Sequence, residues 1–232
     1  MTSDNFKRAA AEEAVKLVAT DMVLGLGTGS TAAHFVDLVG QKVQNGLTVR
    51  AIPTSMATDA QARKAGIDII TPDETTQIDL AVDGADEIGP GLSLIKGGGG
   101  ALLREKIIAE AARKFVVIAD GSKNVPQLGE FPLPVEIEQF SWALSVRRIR
   151  ETLRQQGFEN PSVSLRSTHE NQPFISDGGN FVIDCALSRI EGPDALDDAL
   201  QALPGVVETG LFLKIADQAI VADENGVRTI TS

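Results

Sequence analysis

The sequence predicts an α/β protein with a doubly wound, mostly parallel, Rossmann-like sheet domain and a smaller α+β domain of ferredoxin-like topology. Up to residue 120, short apolar runs alternate with helical patterns, which is typical of a parallel sheet covered on both faces. After Pro132 and Pro134 the element order becomes β-α-β-β-α-β, the pattern of a ferredoxin-like domain. We therefore expect residues 1–130 and 207–232 to form the Rossmann-like domain with the catalytic groups, and residues 131–206 to form the ferredoxin-like domain.

The first half of the chain begins with a predicted amphipathic helix over residues 4–19, in which Phe6, Ala10 and Ala14 recur at helical spacing. Short apolar runs bounded by glycine or polar residues predict strands at 22–26, 47–52, 67–70, 78–82 and 115–119. Helical patterns lie between them at 32–39, 57–65 and 101–114.

The second half is predicted to start with a strand at 135–138, a helix at 142–156 and a strand at 162–167. A hairpin-like pair at 173–176 and 180–186, a helix at 195–202 and an apolar segment from Val206 follow. Asn225-Gly226 predicts the turn of a final hairpin. Trp142 and the phenylalanines are expected to lie in the core.

The charge balance indicates which partners the protein does not have. With 21 basic and 32 acidic residues, the net charge is −11, so we expect no nucleic-acid partner. Apolar runs are too short to span a membrane, and the N-terminus lacks the pattern of a signal peptide. The single cysteine, Cys185, lies in an apolar run and is expected to be buried, so we take the cytoplasm as the default location.

The glycine-rich turn at 25–31 follows a predicted strand and opens a helix, the position where backbone N–H groups and the helix dipole bind phosphate. It does not fit a dinucleotide site, because Ser30 stands where the third glycine is required and the next strand ends without an acidic residue. The pattern predicts a phosphate cradle; a tight turn without a ligand is the alternative.

Acidic residues follow the strand at 78–82, with Asp83, Asp86 and Glu87 close together in sequence. Ligands of doubly wound sheets bind at the carboxyl ends of the strands. These carboxylates could transfer protons or bind the hydroxyls of a small polyol, or they could hold magnesium. A solvent-exposed loop is the alternative interpretation.

The segment 96–106 places Lys96 before four consecutive glycines and Glu105 in the helix that follows. Consecutive glycines allow main-chain N–H groups to approach a ligand closely. A carboxylate and a cation on either side of a sugar-sized pocket would suit proton abstraction beside a carbonyl, with Glu105 as base and Lys96 stabilising the enediolate. The alternative is an ordinary helical glutamate beside a surface Lys106. Lys123 follows another strand end and is a candidate phosphate contact.

Four segments in this order and spacing resemble the ribose-5-phosphate isomerase A family: GTGST at 27–31, DGADE at 83–87, KGGGGALLREK at 96–106 and ADGSK at 119–123. PLPVEI at 132–137 and LPGVVETGLF at 203–212 are also similar, so the resemblance covers nearly the whole chain. It implies an interconversion of ribose 5-phosphate and ribulose 5-phosphate through a cis-enediolate, in the non-oxidative pentose phosphate pathway. It further implies that no metal or cofactor takes part and that the chain forms a homodimer or a dimer of dimers.

The resemblance also assigns roles to individual residues. It implies Glu105 as the base, Asp83 and Asp86 as acid/base groups, with Asp83 assisting ring opening, and Lys96 as the stabilising cation. The implied substrate-binding residues are Thr28, Gly29, Ser30, Thr31, Gly84, Ala85, Gly97, Gly98, Gly99, Lys123 and Lys7. The family often has three glycines followed by alanine, and we expect the fourth glycine, Gly100, to loosen the turn slightly without abolishing activity.

Two other functions would need features that the sequence lacks. An aminosugar-phosphate deaminase or a lactonase-like enzyme would need a histidine in the site, but His34 lies beyond the phosphate turn and His169 lies in the second domain. A sugar-phosphate sensor would not need Lys96, Asp83 and Glu105 together, and a transcriptional sensor would need a basic helix-turn-helix segment.

Overall fold

The computed structural model describes residues 2–231, which divide into two compact units. The first unit contains residues 2–85, 104–124 and 214–231, and the second contains residues 86–103 and 125–213. The helices are α1 Ser3–Ala14, α2 Ser30–Gln44, α3 Met56–Lys64, α4 Leu102–Ala111, α5 Trp142–Gln155 and α6 Pro193–Gln201. The strands are β1 Val23–Leu26, β2 Arg50–Pro53, β3 Asp68–Ile69, β4 Leu80–Asp83, β5 Glu87–Ile88, β6 Leu94–Ile95, β7 Phe115–Asp120, β8 Leu133–Ile137, β9 Ser162–Leu165, β10 Phe181–Ala186, β11 Val206–Thr209, β12 Leu211–Phe212, β13 Gln218–Asp223 and β14 Gly226–Thr231.

The first unit is built on a seven-stranded sheet in the order β14-β13-β7-β4-β1-β2-β3. Every neighbouring pair is parallel except the hairpin of β13 and β14. All residues of β1, β4 and β7 are buried, as is expected of mostly apolar strands in a sheet covered on both faces. The predicted doubly wound α/β fold is therefore confirmed.

The strand order of this sheet reverses at β1. The chain runs outward from β1 to β2 and β3, and then returns to form β4 on the other side of β1. In doubly wound sheets the ligand crevice lies at such a reversal, outside the carboxyl ends of the strands. The ends of β1 and β4 are therefore the place where a ligand site is expected.

The second unit contains an antiparallel sheet in the order β11-β8-β10-β9, with α5 and α6 as its helices. Counted within the unit, this is the strand order 4-1-3-2 on a β-α-β-β-α-β chain, as the ferredoxin-like prediction requires. Its core includes Val135, Ile149, Ile183, Leu200 and Cys185. The cysteine is fully buried, as expected.

The structure divides the chain differently from the predicted domain boundaries. Strands β5, β6 and β12 form a small three-stranded antiparallel sheet, and Ile95 and Leu211 belong to the core of the second unit. Residues 86–103, 125–130 and 207–213 therefore lie with the second unit. Two-residue strands have no readable periodicity, so no pattern predicted this sheet.

Three further details differ from the sequence-based expectation. The segment 173–176 makes only isolated bridges, through Pro173 and Ile175, instead of a strand. The side chain of Phe140 is 84% exposed and Trp142 is partly exposed, so neither is a core residue. Among residues 2–231, no helix combines the length and the apolar character that crossing a bilayer demands.

Candidate active site

Asp83, the last residue of β4, is held firmly at the strand reversal. Its Oδ1 accepts the N–H groups of Thr28, at 3.0 Å, and Gly84, at 2.7 Å, and the side chain is 3% exposed. Gly27 makes this approach possible, because a Cβ there would lie 2.1 Å from the same oxygen. Gly27, the first glycine of the GTGST segment, thus makes room for Asp83 of the neighbouring strand β4 and also belongs to its own turn.

The glycine-rich turn leads directly into α2 and leaves the helix N-terminus open to an anion. Gly29 is the N-cap at φ 106°, a left-handed conformation that favours glycine, and the helix has no side-chain cap. Nζ of Lys7, on α1, donates to Ser30 Oγ at 3.0 Å. The structure therefore brings Lys7 to the predicted phosphate turn, where exposed N–H groups and a cation are what a phosphate needs.

A cluster of hydroxyls around Thr28 was not recognised from the sequence. Thr28 Oγ1 lies 2.7 Å from Thr54 Oγ1, 2.9 Å from Ser55 Oγ and 3.2 Å from Thr58 Oγ1. Thr58 in turn donates to the carbonyl of Gly27 at 3.0 Å. The side chain and N–H of Thr28 both make hydrogen bonds within the protein, so Thr28 fixes the turn. That it also binds substrate stays a prediction. A run of hydroxyl residues after β2 was the only available signal.

Glu105 lies on the buried face of α4 in the first unit and is 4% exposed. Ile108, one turn later, packs against β1, since a Cβ on Gly25 would lie 2.5 Å from its Cγ2. Because α4 precedes the parallel strand β7, its N-terminus lies toward the carboxyl ends of the strands. Glu105 is therefore at the same edge of the sheet as Asp83. Lys106, which the alternative interpretation placed on the surface, is buried.

Lys123 ends a short 3₁₀ turn, Gly121–Lys123, that follows β7 at this edge. The turn is organised by Asp120, whose carboxylate accepts from Ser122 and from the Ser3 hydroxyl of α1. Burial alone would raise the pKa of Asp120, but these hydrogen bonds and the charge of Lys123 hold it below its ordinary value. Asp120 thereby also ties α1, with Lys7, to the sheet.

Lys96 belongs to the second unit, at the end of β6. It is 2% exposed, its N–H donates to the carbonyl of Gly210 at 2.9 Å, and its Nζ lies 5.3 Å from the ring centroid of Phe212. A Cβ on Gly210 would lie 2.3 Å from the Lys96 carbonyl oxygen. The TGLF part of the LPGVVETGLF segment therefore serves to position this lysine.

The glycines after Lys96 form a closed turn. The N–H of Gly100 donates to the carbonyl of Gly97 at 2.9 Å, and both residues have a positive φ. Gly100 is buried against Phe174, whose Cζ would lie 2.3 Å from an added Cβ. The fourth glycine was expected to loosen the turn, but in the structure it is the residue whose lack of a side chain lets the turn pack.

The three carboxylates of DGADE have separate positions. Asp86 lies in the second unit, where its Oδ2 accepts the N–H of Gly98 at 2.7 Å. Glu87 is turned into the core of the same unit and accepts the N–H groups of Gly129 and Phe131. Glu87 is thus a structural residue, and the N–H of Gly98 is already used by Asp86.

The structure assigns the predicted site residues to both units. Those of the first unit lie along the carboxyl edge of the parallel sheet: Lys7, Thr28, Gly29, Ser30, Thr31, Asp83, Gly84, Ala85, Glu105 and Lys123. Those of the second unit lie directly before β5, directly after β6 and in the glycine turn: Asp86, Lys96, Gly97, Gly98 and Gly99. That Lys96 and Glu105 act on one substrate stays a prediction.

The described residues hold no group of three or more His, Cys, Asp or Glu side chains arranged for a metal ion. His34 instead pairs with Asp4, with Nε2 and Oδ1 3.0 Å apart between α2 and α1. This contact lies one turn from that of Lys7 with Ser30 and helps to join the two helices.

Comparison with known proteins gives one consistent result. The family model of ribose 5-phosphate isomerase A (phosphoriboisomerase A) matches residues 50–226. A relative from Rhodopseudomonas palustris (strain BisB18), named ribose-5-phosphate isomerase A, is 50% identical over 230 residues, which cover 99% of each chain. A solved D-ribose-5-phosphate isomerase in complex with phospho-erythronic acid is 38% identical with a TM-score of 0.93, and each chain is covered completely. The ribose 5-phosphate isomerase A of Methanocaldococcus jannaschii is 39% identical with a TM-score of 0.91, again with complete coverage.

Proposed function

The chain belongs to the ribose 5-phosphate isomerase A family, and we infer that it is an aldose-ketose isomerase that interconverts D-ribose 5-phosphate and D-ribulose 5-phosphate. The observation that carries this conclusion is the 50% identity to an isomerase over 99% of both chains. The deaminase, lactonase and sensor alternatives gain no support from these relatives. We further propose that phospho-erythronic acid, the ligand of the solved relative, also binds to this chain.

We propose Glu105 as the base of the reaction. In the open-chain aldose, its carboxylate takes the proton from C2, the C2–H electron pair forms the C1–C2 double bond, and negative charge moves to O1. A proton then moves between O1 and O2, and Glu105 returns its proton to C1 to complete the ketose. Burial of this carboxylate at the carboxyl edge of the sheet supports the role, since little water surrounds it there.

Lys96 and the glycine turn are proposed to stabilise the cis-enediolate. The negative charge that develops on O1 and O2 needs fixed donors that do not have to reorganise during the reaction. Lys96 supplies a buried cation, and the turn of Gly97, Gly98 and Gly99 supplies main-chain N–H groups. The N–H of Gly98 donates to Asp86 and therefore takes part only indirectly, by holding that carboxylate. The hydrogen bond from the Lys96 N–H to the carbonyl of Gly210 fixes the backbone that carries this side chain, which suits the lysine to the task.

Asp83 and Asp86 are proposed as the acid/base groups for ring opening and for proton exchange between the sugar oxygens, with Asp83 assisting ring opening. Two main-chain N–H groups fix Oδ1 of Asp83, and the Gly98 N–H fixes Oδ2 of Asp86. A fixed carboxylate is effective in proton transfer because its geometry is set before the substrate binds. Gly84 and Ala85, which follow Asp83, are proposed to bind the sugar through their backbone.

The phosphate is proposed to bind at the start of α2, where Gly29, Ser30 and Thr31 present their N–H groups. Lys7, already in contact with Ser30, adds a positive charge there, and Lys123 is proposed as a second cation. Binding energy from this remote group holds the short sugar in register for proton transfer.

We also propose a cytoplasmic location, a place in the non-oxidative pentose phosphate pathway, and assembly as a homodimer or a dimer of dimers. A buried, unpaired thiol in Cys185 fits a reducing compartment. Light scattering on protein eluting from a size-exclusion column would give its mass in solution. A monomer at assay concentration would reject the proposed assembly.

The test uses Glu105→Gln, with Glu110→Gln as its control, because Glu110 lies on the same helix and is exposed. Wild-type protein should convert ribose 5-phosphate to the ketose, and Glu105→Gln should lose at least about 10²-fold in kcat while remaining folded. Glu110→Gln should keep wild-type activity. A wild-type protein that forms no ketose would reject the isomerase function, whereas an active Glu105→Gln variant would reject only the choice of base.

A further inference from the structure

The glycine turn that carries the proposed N–H donors is closed by the hydrogen bond from Gly100 to Gly97, but its two middle residues have no side chains to fix them. Gly98 and Gly99 are exposed, and glycine lacks the side chain that would restrict its backbone. Donors that stabilise a developing charge must nevertheless be fixed before the reaction. Some group outside the turn therefore has to hold it.

Arg166 is that group. Its Nη1 donates to the carbonyls of Gly97, at 2.7 Å, and Gly98, at 3.2 Å, although it lies more than 60 residues away along the chain. The guanidinium is itself fixed by Asp184, with Nε 2.9 Å from Oδ2 and Nη2 2.5 Å from Oδ1. The guanidinium also faces Phe174, whose ring centroid lies 5.8 Å from Cζ and which packs on Gly100.

The two carbonyls that Arg166 binds determine the direction of two N–H groups of the glycine turn. In a planar trans peptide the C=O and the following N–H point in opposite directions. Holding the carbonyl of Gly97 therefore turns the N–H of Gly98 away from Arg166, and this N–H reaches Asp86 Oδ2 at 2.7 Å. Holding the carbonyl of Gly98 turns the N–H of Gly99 away from Arg166 in the same manner.

We propose that Arg166 is a positioning residue of the isomerase reaction, which sets both the N–H donors of the glycine turn and the carboxylate of Asp86. The inference rests on the proposed function, because it assumes that the turn binds the enediolate. The arginine fork can bind Asp184 and the two carbonyls at once, whereas the single ammonium of a lysine cannot reproduce this geometry.

The test compares inhibition by phospho-erythronic acid with inhibition by inorganic phosphate, in wild-type protein and in Arg166→Ala and Arg166→Lys. The acid carries a carboxylate whose charge and planarity resemble those of the enediolate, whereas inorganic phosphate occupies the phosphate site alone. If Arg166 only stabilised the fold, its removal would inactivate part of the protein. The inhibition constants of the remaining folded protein for both inhibitors would then be unaltered. Arg150→Ala is the matched control, since Arg150 also donates to a main-chain carbonyl, that of Val163, in the same unit.

We expect Arg166→Ala to raise the inhibition constant of phospho-erythronic acid by about 10-fold to 100-fold and to lower kcat by a similar factor. Inhibition by inorganic phosphate should not change, Arg166→Lys should be intermediate, and Arg150→Ala should match the wild type.

The proposal would be overturned if phospho-erythronic acid inhibited Arg166→Ala as strongly as it inhibits the wild type. It would also be overturned if inhibition by the acid and inhibition by inorganic phosphate weakened equally. If Arg166→Ala does not fold, Arg166→Lys decides in the same way. An inactive wild-type protein would reject the proposed function and this inference together, whereas an active wild type with unchanged inhibition in both variants would reject only this inference.

Discussion

Replacing Gly27 with alanine tests whether the junction of β1 and β4 positions Asp83 for the reaction. An added Cβ would lie 2.1 Å from Asp83 Oδ1 and 2.6 Å from Asp83 Cα. Rotation of the aspartate side chain relieves only the first contact. To restore an ordinary separation of about 3.4 Å from Cα, the two strand ends must move apart by about 0.8 Å.

This displacement is large enough to disturb the reaction and small enough to leave the protein folded. The hydrogen bond from the N–H of Thr28 to Asp83 is 3.0 Å long and would be lost or badly weakened by such a shift. Misplacing a reacting group by about 1 Å costs on the order of 10²-fold in rate. Overpacking typically costs about 1–3 kcal/mol, less than the stability of an ordinary domain.

The assay measures kcat/KM for conversion of ribose 5-phosphate to the ketose, together with the free energy of unfolding from denaturant titration. Gly27→Ala should lose roughly 10-fold to 100-fold in kcat/KM while keeping a cooperative unfolding transition. Gly192→Ala is the control, because a Cβ there meets nothing within 4 Å and its φ is −122°. A folded Gly27→Ala variant with wild-type kcat/KM would refute the claim that this junction positions the catalytic carboxylate.

Three other predictions follow from the same structure. Lys7→Met should lower kcat/KM by about 10-fold, because it removes a charge-assisted hydrogen bond at the proposed phosphate turn. Lys16→Met, at an exposed lysine, should have no effect. Equal values for the two variants would contradict the proposed phosphate contact. Burial, and next the charge of Asp184, raise the pKa of the Cys185 thiol to about 12, so this thiol stays protonated and should not react with a thiol reagent at pH 8 until the protein is denatured. Rapid labelling of the native protein would contradict this prediction and would show that strand β10 opens. Treatment with a chelator should leave the rate unchanged, and a loss of activity that magnesium restores would mean that the aspartates hold an ion.

Local pattern was sufficient for most of the fold. Strands β1, β4 and β7 are apolar up to the aspartates that end β4 and β7, because both faces of the sheet are covered, and the final hairpin was predicted from its turn residues, so these elements could be predicted. The small sheet of β5, β6 and β12 could not, since each strand has two residues and the pairing of β12 with β6 joins segments far apart in the chain. This sheet explains why the observed units differ from the predicted domains.

The candidate site shows the same division. Glycines, carboxylates and lysines in an unusual order were enough to propose Asp83, Lys96, Glu105 and the turn before α2 as candidates, because proton transfer and phosphate binding need particular residue types. The residues that hold them were not recognisable: an arginine such as Arg166 has no distinctive neighbours in sequence, and its partners lie far away along the chain.

By itself the sequence therefore determined the class of fold, the family and the groups that are suited to proton transfer, since each of these is encoded in residue type and local spacing. Only the tertiary structure decided which side chains hold the candidate site, such as Thr58 at the proposed phosphate turn and Arg166 at the glycine turn. The physical reason is that orientation comes from hydrogen bonds and close packing between residues that become neighbours only when the chain folds.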